Sequence, residues 1–506
     1  MSEINIIKGT NPVTKGDFPD PDVIRVGDTY YICSTTMYFM PGGAMLRSYD
    51  LINWEFCSHI YDTLEDTPRE NLDGEQNAYG CGMWAPCLRY HNGKFYVFFI
   101  ANDTGRTYCF TSDKAEGPWE KHYVEGFYHD CSVLFDDDGR VYIIYGNRKI
   151  YLTELKPDLS GPKEGGVNKL IISDPEGPFL GYEGAHLYKI NGKYYAFFIH
   201  TSPEKWIRIE AAFMADNIEG PWVGKDVISY YLEDTTGVAQ GGIVDTPDGK
   251  WYGVIFGDRG AVGRIPNIVP MHFDETGFPV FDTPTVDIET TSTRPEYVYD
   301  KLFKSDDFNY SAGADGKIKL DDVWEFNHNP KPDYWTAGDG KFTLTTEKIA
   351  STVEFARNTL TQRSKYPETD ARVSLDASKL NDGDVMGLVM LQYRYGIIGI
   401  TKECGKYYLV MRSRTGEGEN PDTESEYARI PLSSPEATVR VRAEFSLGSS
   451  EERFYYLDGG EWKEFGIPVH PTFDLKHFVG CRVGLFAYST EKVGGSASFS
   501  HFVYGY

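Results

Sequence analysis

The sequence holds no apolar run near the roughly 20 residues that a membrane-spanning helix needs. Its opening, MSEINIIKGTNPVTKG, has neither the basic flank nor the apolar stretch of a secretory signal. Basic residues are scarce. Lys and Arg number 50 against 75 Asp and Glu, leaving a net charge of −25 at pH 7. That balance lacks the phosphate-neutralising surface of a nucleic-acid binder and disfavours an anionic membrane. The eight cysteines (33, 57, 81, 87, 109, 131, 404 and 481) show no metal-ligand spacing. Several lie in apolar strand-like runs, such as Cys33 in YYIC, so buried free thiols are expected rather than disulfides. The cytoplasm is the expected location; a secreted form whose signal peptide has been removed is the alternative. These absences leave a neutral polymer or small molecule as the partner class, with homo-oligomerisation open. Long helical periodicity is missing as well, and 506 residues are too many for one ordinary domain.

The chain does contain aromatics and an internal repeat. Phe, Trp and Tyr make up 15% of the residues, mostly in patterns that suit a strand-rich core. A tight turn followed by an aromatic, β-branched run recurs as GDTYYICST (27–35), NGKFYVFFI (92–100), DGRVYIIYG (138–146), NGKYYAFFI (191–199) and DGKWYGVIF (248–256). Asn-Gly and Asp-Gly before such runs are hairpin signals. In most units a second hairpin tip ends in tryptophan: SYDLINWE, SDKAEGPWE and ADNIEGPWV. The aligned tyrosines, Tyr31, Tyr96, Tyr142, Tyr195 and Tyr252, are about 46 to 65 residues apart, one four-stranded blade each. The expected fold is all-β, beginning with a five-bladed β-propeller over residues 1–298. CGKYYLVMR at 404–412 copies the tag without the rest of a unit.

Twelve residues before the later tyrosines stand Trp84, Asp130, Glu183 and Gln240, and Asp20 stands eleven before Tyr31. Equivalent positions ahead of innermost strands converge on a propeller axis. Scattered surface acids are the default in so acidic a chain, but three acids at repeat-related positions call for another account. Asp20 sits in the rigid PDPD, and HDCSVLF and GYEGAHLY place Asp130 and Glu183 among apolar and small residues. Carboxylates crowded at one mouth repel, so at least one is expected to hold its proton unusually well. Two carboxyls beside an aromatic that stacks on a sugar suggest glycosidic bond cleavage. One protonates the leaving oxygen; the other activates water or attacks directly, according to their separation. The first and fourth units are not neighbours in a five-unit ring, which favours the wider, inverting arrangement.

These motifs, with MWAP at 83–86 and GVAQGGIVDTPDGKWY, resemble glycoside hydrolase family 43, and the resemblance covers the whole chain. It implies xylosidase, arabinofuranosidase or arabinanase activity with inversion. By that resemblance Asp20 matches the general base, Glu183 the general acid, and Asp130 the aspartate that tunes and orients the acid. Arg264 matches an arginine near the acid and substrate, and Trp84 and Phe39 match aromatics of the sugar pocket. Many members carry histidine where this chain has Gln240, a residue that organises water or calcium on the axis; glutamine brings only a neutral amide. The histidines His186 and His200 are expected to be structural. No cofactor is required, and Asp306 and Asp307 are the acidic pair offered to a structural calcium.

Past residue 303 alternating runs such as KFTLTT, ARVSL, YYLVMR and TVRVRAEF are two-period strands, which predict a β-sandwich over 303–506 after a linker at 287–303. The resemblance implies that it packs on the propeller and narrows the pocket. The expected function is therefore exo-release of terminal α-L-arabinofuranosyl or β-D-xylosyl units from hemicellulose oligosaccharides, with a slight lean to arabinose. An endo-arabinanase and a non-catalytic carbohydrate-binding propeller are the alternatives; the latter has no need of an Asp and a Glu on the axis.

Overall fold

The computed structural model describes residues 5–174, 177, 179–416 and 421–505. Five consecutive four-stranded antiparallel sheets form the first half. Their innermost strands are Asp22–Val26, Met83–His91, Ser132–Phe135, Glu183–Ile190 and Val238–Asp245, opening blades I to V. Each of these strands contacts the next, and the fifth returns to the first, so the sheets close into a ring. The five repeat tyrosines all fall on second strands. Tyr142, Tyr195 and Tyr252 are buried, packed into the apolar layers between blades. The tip tryptophans precede outermost strands, where the indole N–H of Trp54 donates to the Leu51 carbonyl (2.8 Å) and that of Trp222 to Ile218 (3.1 Å).

Inner strands leave an axis to be filled, and here charged side chains rather than hydrocarbon fill it. The buried Arg89 of blade II donates to Asp22 of blade I (2.6 Å), to the Ser132 hydroxyl (2.6 Å) and Val133 carbonyl (2.7 Å) of blade III, and to the Leu187 carbonyl of blade IV (3.2 Å). Asp22 also meets His186 Nδ1 at 3.0 Å. His186 is thus the structural histidine expected, as is His200, whose Nε2 lies 2.9 Å from Asp226. A buried charge is costly unless paired and hydrogen-bonded; this network satisfies that condition while joining four blades.

The second half is a sandwich of an eight-stranded and a seven-stranded sheet. Its core includes Trp324, Phe342, Leu388, Met411, Val441 and Phe499. CGKYYLVMR supplies its strand Lys406–Arg414. Two features depart from the linear plan. Asp287–Thr291, the start of the segment read as linker, pairs with Ile6–Thr10 beside the propeller. Phe39–Met40, from a blade I loop, pairs with Glu325–Asn327 and becomes the edge strand of the eight-stranded sheet. The seam is locked there by Glu325, which is wholly buried and accepts from Arg363 (2.8 Å) and Arg482, with His59 of blade I at 2.9 Å. All eight cysteines are free thiols, with Cys404 exposed.

Candidate active site

The five blades each open on a residue with left-handed backbone, four before the residue that faces the repeat tyrosine. These are Asp20 (φ 52°), Ala85 (37°), Asp130 (49°), Gly184 (62°) and Gln240 (66°). The count of twelve is therefore one too long in blades II and IV. Their hairpins turn on two residues, Asn92-Gly93 and Asn191-Gly192, where blades III and V use five. The repeat-related positions hold Asp, Ala, Asp, Gly and Gln. Trp84 and Glu183 each precede theirs by one, and successive extended residues point to opposite faces, so Glu183 enters the mouth from a different direction than Asp20 and Asp130. Non-glycine residues in this region store strain, which clusters at functional sites.

Asp20 lies between two prolines and is 6% exposed. One carboxylate oxygen accepts from Arg264 Nη1 at 2.7 Å, the other from the Thr35 hydroxyl at 2.7 Å. Each oxygen has a second lone-pair direction free. Thr35 also accepts from the Ala85 amide (2.9 Å), which ties blade I to blade II. Arg264 accordingly partners the proposed base. Its backbone N–H donates to Asp17 (2.7 Å), whose other oxygen takes the Gly480 amide of the sandwich (2.7 Å).

Asp130 and Glu183 meet across the seam between blades III and IV. The Gly184 amide donates to the Asp130 carboxylate (3.0 Å) and the Ala185 amide to its carbonyl (3.2 Å). Glu183 accepts from the Asn147 amide and lies 3.7 Å from His129 Nε2, while His129 Nδ1 is 3.8 Å from Asp130. Burial, aided by the charges of Glu183 and Asp20 and opposed by His129, pushes the Asp130 carboxyl up to about 7. The Asp130 charge in turn holds the His129 imidazolium above its ordinary range. This is the crowded, proton-retaining carboxyl that the sequence calls for.

Trp84 is half-buried, 5.3 Å from Phe478 and 6.1 Å from His129 ring to ring. Neither its indole N–H nor Arg264 Nε has a protein acceptor, and buried donors without partners are uncommon unless water or a ligand serves them. Phe478 comes from the sandwich; Arg264 lies over its ring at 4.9 Å. Gln240 packs its side chain against Gly184, where a Cβ would stand 2.6 Å from the Gln240 Cδ, and its backbone N–H donates to the buried Glu210 (2.7 Å). Phe39 is a correction: with no exposed surface, and with the Arg482 guanidinium 3.5 Å over its ring, it backs the domain seam and cannot stack on a ligand.

The acidic pair offered to calcium does not assemble as a cation site. Asp306 accepts from the Phe308 amide (2.6 Å), the Trp324 indole (2.8 Å) and the Tyr310 hydroxyl, and Asp307 faces His501 at 3.3 Å. Among the described residues the convergent group of potential metal ligands is His129, Asp130 and Glu183, the last two being expected catalytic residues. His129, Asn147, Thr35 and Phe478 escaped the sequence reading. The first adjoins Asp130 in HDC, a signal in plain view. Phe478, in the far domain, has none.

Burial of Asp130 has a consequence for stability. A carboxyl whose folded value is raised favours folding while protonated; that contribution is complete below the ordinary carboxyl range and is lost as pH rises through about 7. Asp130→Asn, neutral at every pH, is expected to flatten this part of the curve. Thermal unfolding of both forms between pH 4 and 8 checks it, and parallel curves would refute it.

Carboxyls from separate blades at the mouth of a five-bladed propeller, with aromatics and unpartnered donors close by, are the equipment of a hydrolase of glycosidic bonds. Residues 9–279 match Glycosyl hydrolases family 43, and residues 315–505 match the Beta xylosidase C-terminal Concanavalin A-like domain. The chain belongs to glycosyl hydrolase family 43. A beta-xylosidase of Formosa agariphila is 26% identical over 98% of this chain and 90% of its own length. Xylosidase/arabinosidase 43B of Humicola insolens is 27% identical over 98% of this chain and 97% of its own. Among solved structures, a bifunctional GH43-CE protein of Bacteroides eggerthii superposes with a TM-score of 0.90 at 40% identity, over 99% of this chain. The chain spans 64% of that longer protein.

Proposed function

We propose that this glycosidase of hemicellulose is exo-acting and inverting, and releases terminal β-D-xylosyl or α-L-arabinofuranosyl units from arabinoxylan-type oligosaccharides. The observation that carries the reading is the division of labour at the mouth: Asp20 held by Arg264 and Thr35 on blade I, Glu183 held by Asn147 on the non-adjacent blade IV. Asp20 takes a proton from water as that water attacks the anomeric carbon. Glu183 gives its proton to the departing oxygen. Asp130, joined to the Gly184 amide, orients the acid's backbone. Phe478 against Trp84 and Arg264 narrows the mouth from the sandwich side, which supports terminal rather than internal cleavage. The names of the relatives support both sugars.

Proton NMR during hydrolysis of p-nitrophenyl β-D-xyloside and α-L-arabinofuranoside tests this directly. The first-formed sugar is expected as the anomer opposite to that of the substrate. Early appearance of the retained anomer would overturn inversion, and internal fragments from debranched arabinan would overturn the exo reading.

A further inference from the structure

Resting on that reading of Glu183 as the acid, we propose that an exposed aromatic rim on blade IV, centred on Trp206, is a platform for main-chain sugar units on the leaving-group side, beyond the first. Trp206 is 47% exposed and meets Phe179 edge-on at 6.1 Å. Tyr230 and Tyr231 are each 53% exposed, and Lys205, next to Trp206, lies 5.5 Å over the Tyr231 ring. Apolar rings gathered at one exposed place mark an interaction site more often than single exposed hydrophobes do.

The rim lies at the same end of the blade as the acid. Glu183 pairs with Ile199 near the end of the second strand, and the loop of Trp206 leads from Thr201, which ends that strand, to Arg208, its partner on the third. A continuous stack connects the rim to the base. Arg264, bonded to Asp20, lies 5.5 Å over Phe256; Arg208 covers Phe256 at 5.4 Å and Trp206 at 5.5 Å. Trp206 is thus three ring-to-guanidinium steps from the partner of Asp20, too far out for the first leaving unit.

Chemistry names the occupant. The acid protonates the oxygen of the leaving group, so the departing chain lies on the Glu183 side, and blade IV carries Glu183. Asp258 neutralises Arg208 at 3.0 Å, and the Lys205 ammonium lies over the Tyr231 ring, so the guanidinium at the rim is compensated. Rings with a compensated guanidinium behind them suit the apolar C–H faces of an uncharged β-linked pentose chain.

The experiment is kcat/KM on xylo-oligosaccharides, plain and arabinofuranosylated, of two to six units, for wild type, Trp206→Ala and Trp206→Phe. Trp206→Ala is expected to lower the value for the hexasaccharide at least ten-fold while the disaccharide stays within two-fold, with Trp206→Phe close to wild type. An equal effect at all lengths, or none, overturns the platform. If wild type hydrolyses none of the series, the proposed activity falls instead. Calorimetric binding of the intact hexasaccharide then reads the platform: a ten-fold weaker Kd for Trp206→Ala supports it and an unchanged Kd overturns it.

Discussion

Asp20→Asn is expected to lower kcat roughly 10²- to 10⁴-fold on every substrate, the range over which positioned proton transfer acts, with KM little moved. The base is needed whatever leaves, because water must lose its proton in each case. Glu183→Ala is expected to behave differently. On xylobiose, whose sugar alkoxide departs poorly unprotonated, the loss spans the same range. On a 2,4-dinitrophenyl glycoside, whose phenolate departs unaided, most of the rate returns. The split between the two variants is the informative result; the same leaving-group dependence in both would sink the assignment. Asparagine at position 20 keeps an acceptor oxygen for Arg264 and presents its NH2 to the Thr35 hydroxyl, which can accept, and thermal unfolding run alongside separates lost chemistry from lost fold.

Glu325→Ala has the largest expected effect on stability. The side chain is wholly buried and is the counter-ion of two buried guanidinium groups, Arg363 and Arg482, with His59 beside it. Burial already pushes Arg363 down to about 10 with its partner in place. Removing the carboxylate leaves that charge uncompensated at the domain seam, at a cost of about 3–5 kcal/mol. Its neighbours hold the Glu325 carboxyl well below the usual range. A depressed carboxyl stabilises fully above its unfolded value, and that contribution is lost as pH falls below it towards the folded value. Wild type is therefore expected to weaken on acidification below the ordinary glutamate range, and the variant to lack that component. Urea unfolding at pH 7 and at pH 4 checks both; a variant as stable as wild type at pH 7 would remove Glu325 from the seam's energetics. Phe39–Met40 is stitched to Glu325–Asn327 and Phe478 faces Trp84, so loss of activity is expected to accompany loosening of the seam.

The residues themselves carry the blades. Asn-Gly and Asp-Gly turns before aromatic runs are local instructions, read by the backbone without help from distant residues, and their recurrence, together with the two-period runs past residue 303, was enough for a propeller followed by a sandwich. Asp20 and Asp130 were legible because repetition places them identically. Glu183 was found by a count one residue too long, since hairpin length varies between blades and only the ladder register shows it. The partner of Arg264, the burial of Phe39 beneath Arg482, and the arrival of Phe478 at the mouth belonged to the tertiary structure alone. Each depends on contacts between residues hundreds of positions apart, made where two separately folded sheets meet. Local pattern encodes which strand a residue joins and which face it takes; what crosses that face is decided by how whole domains pack.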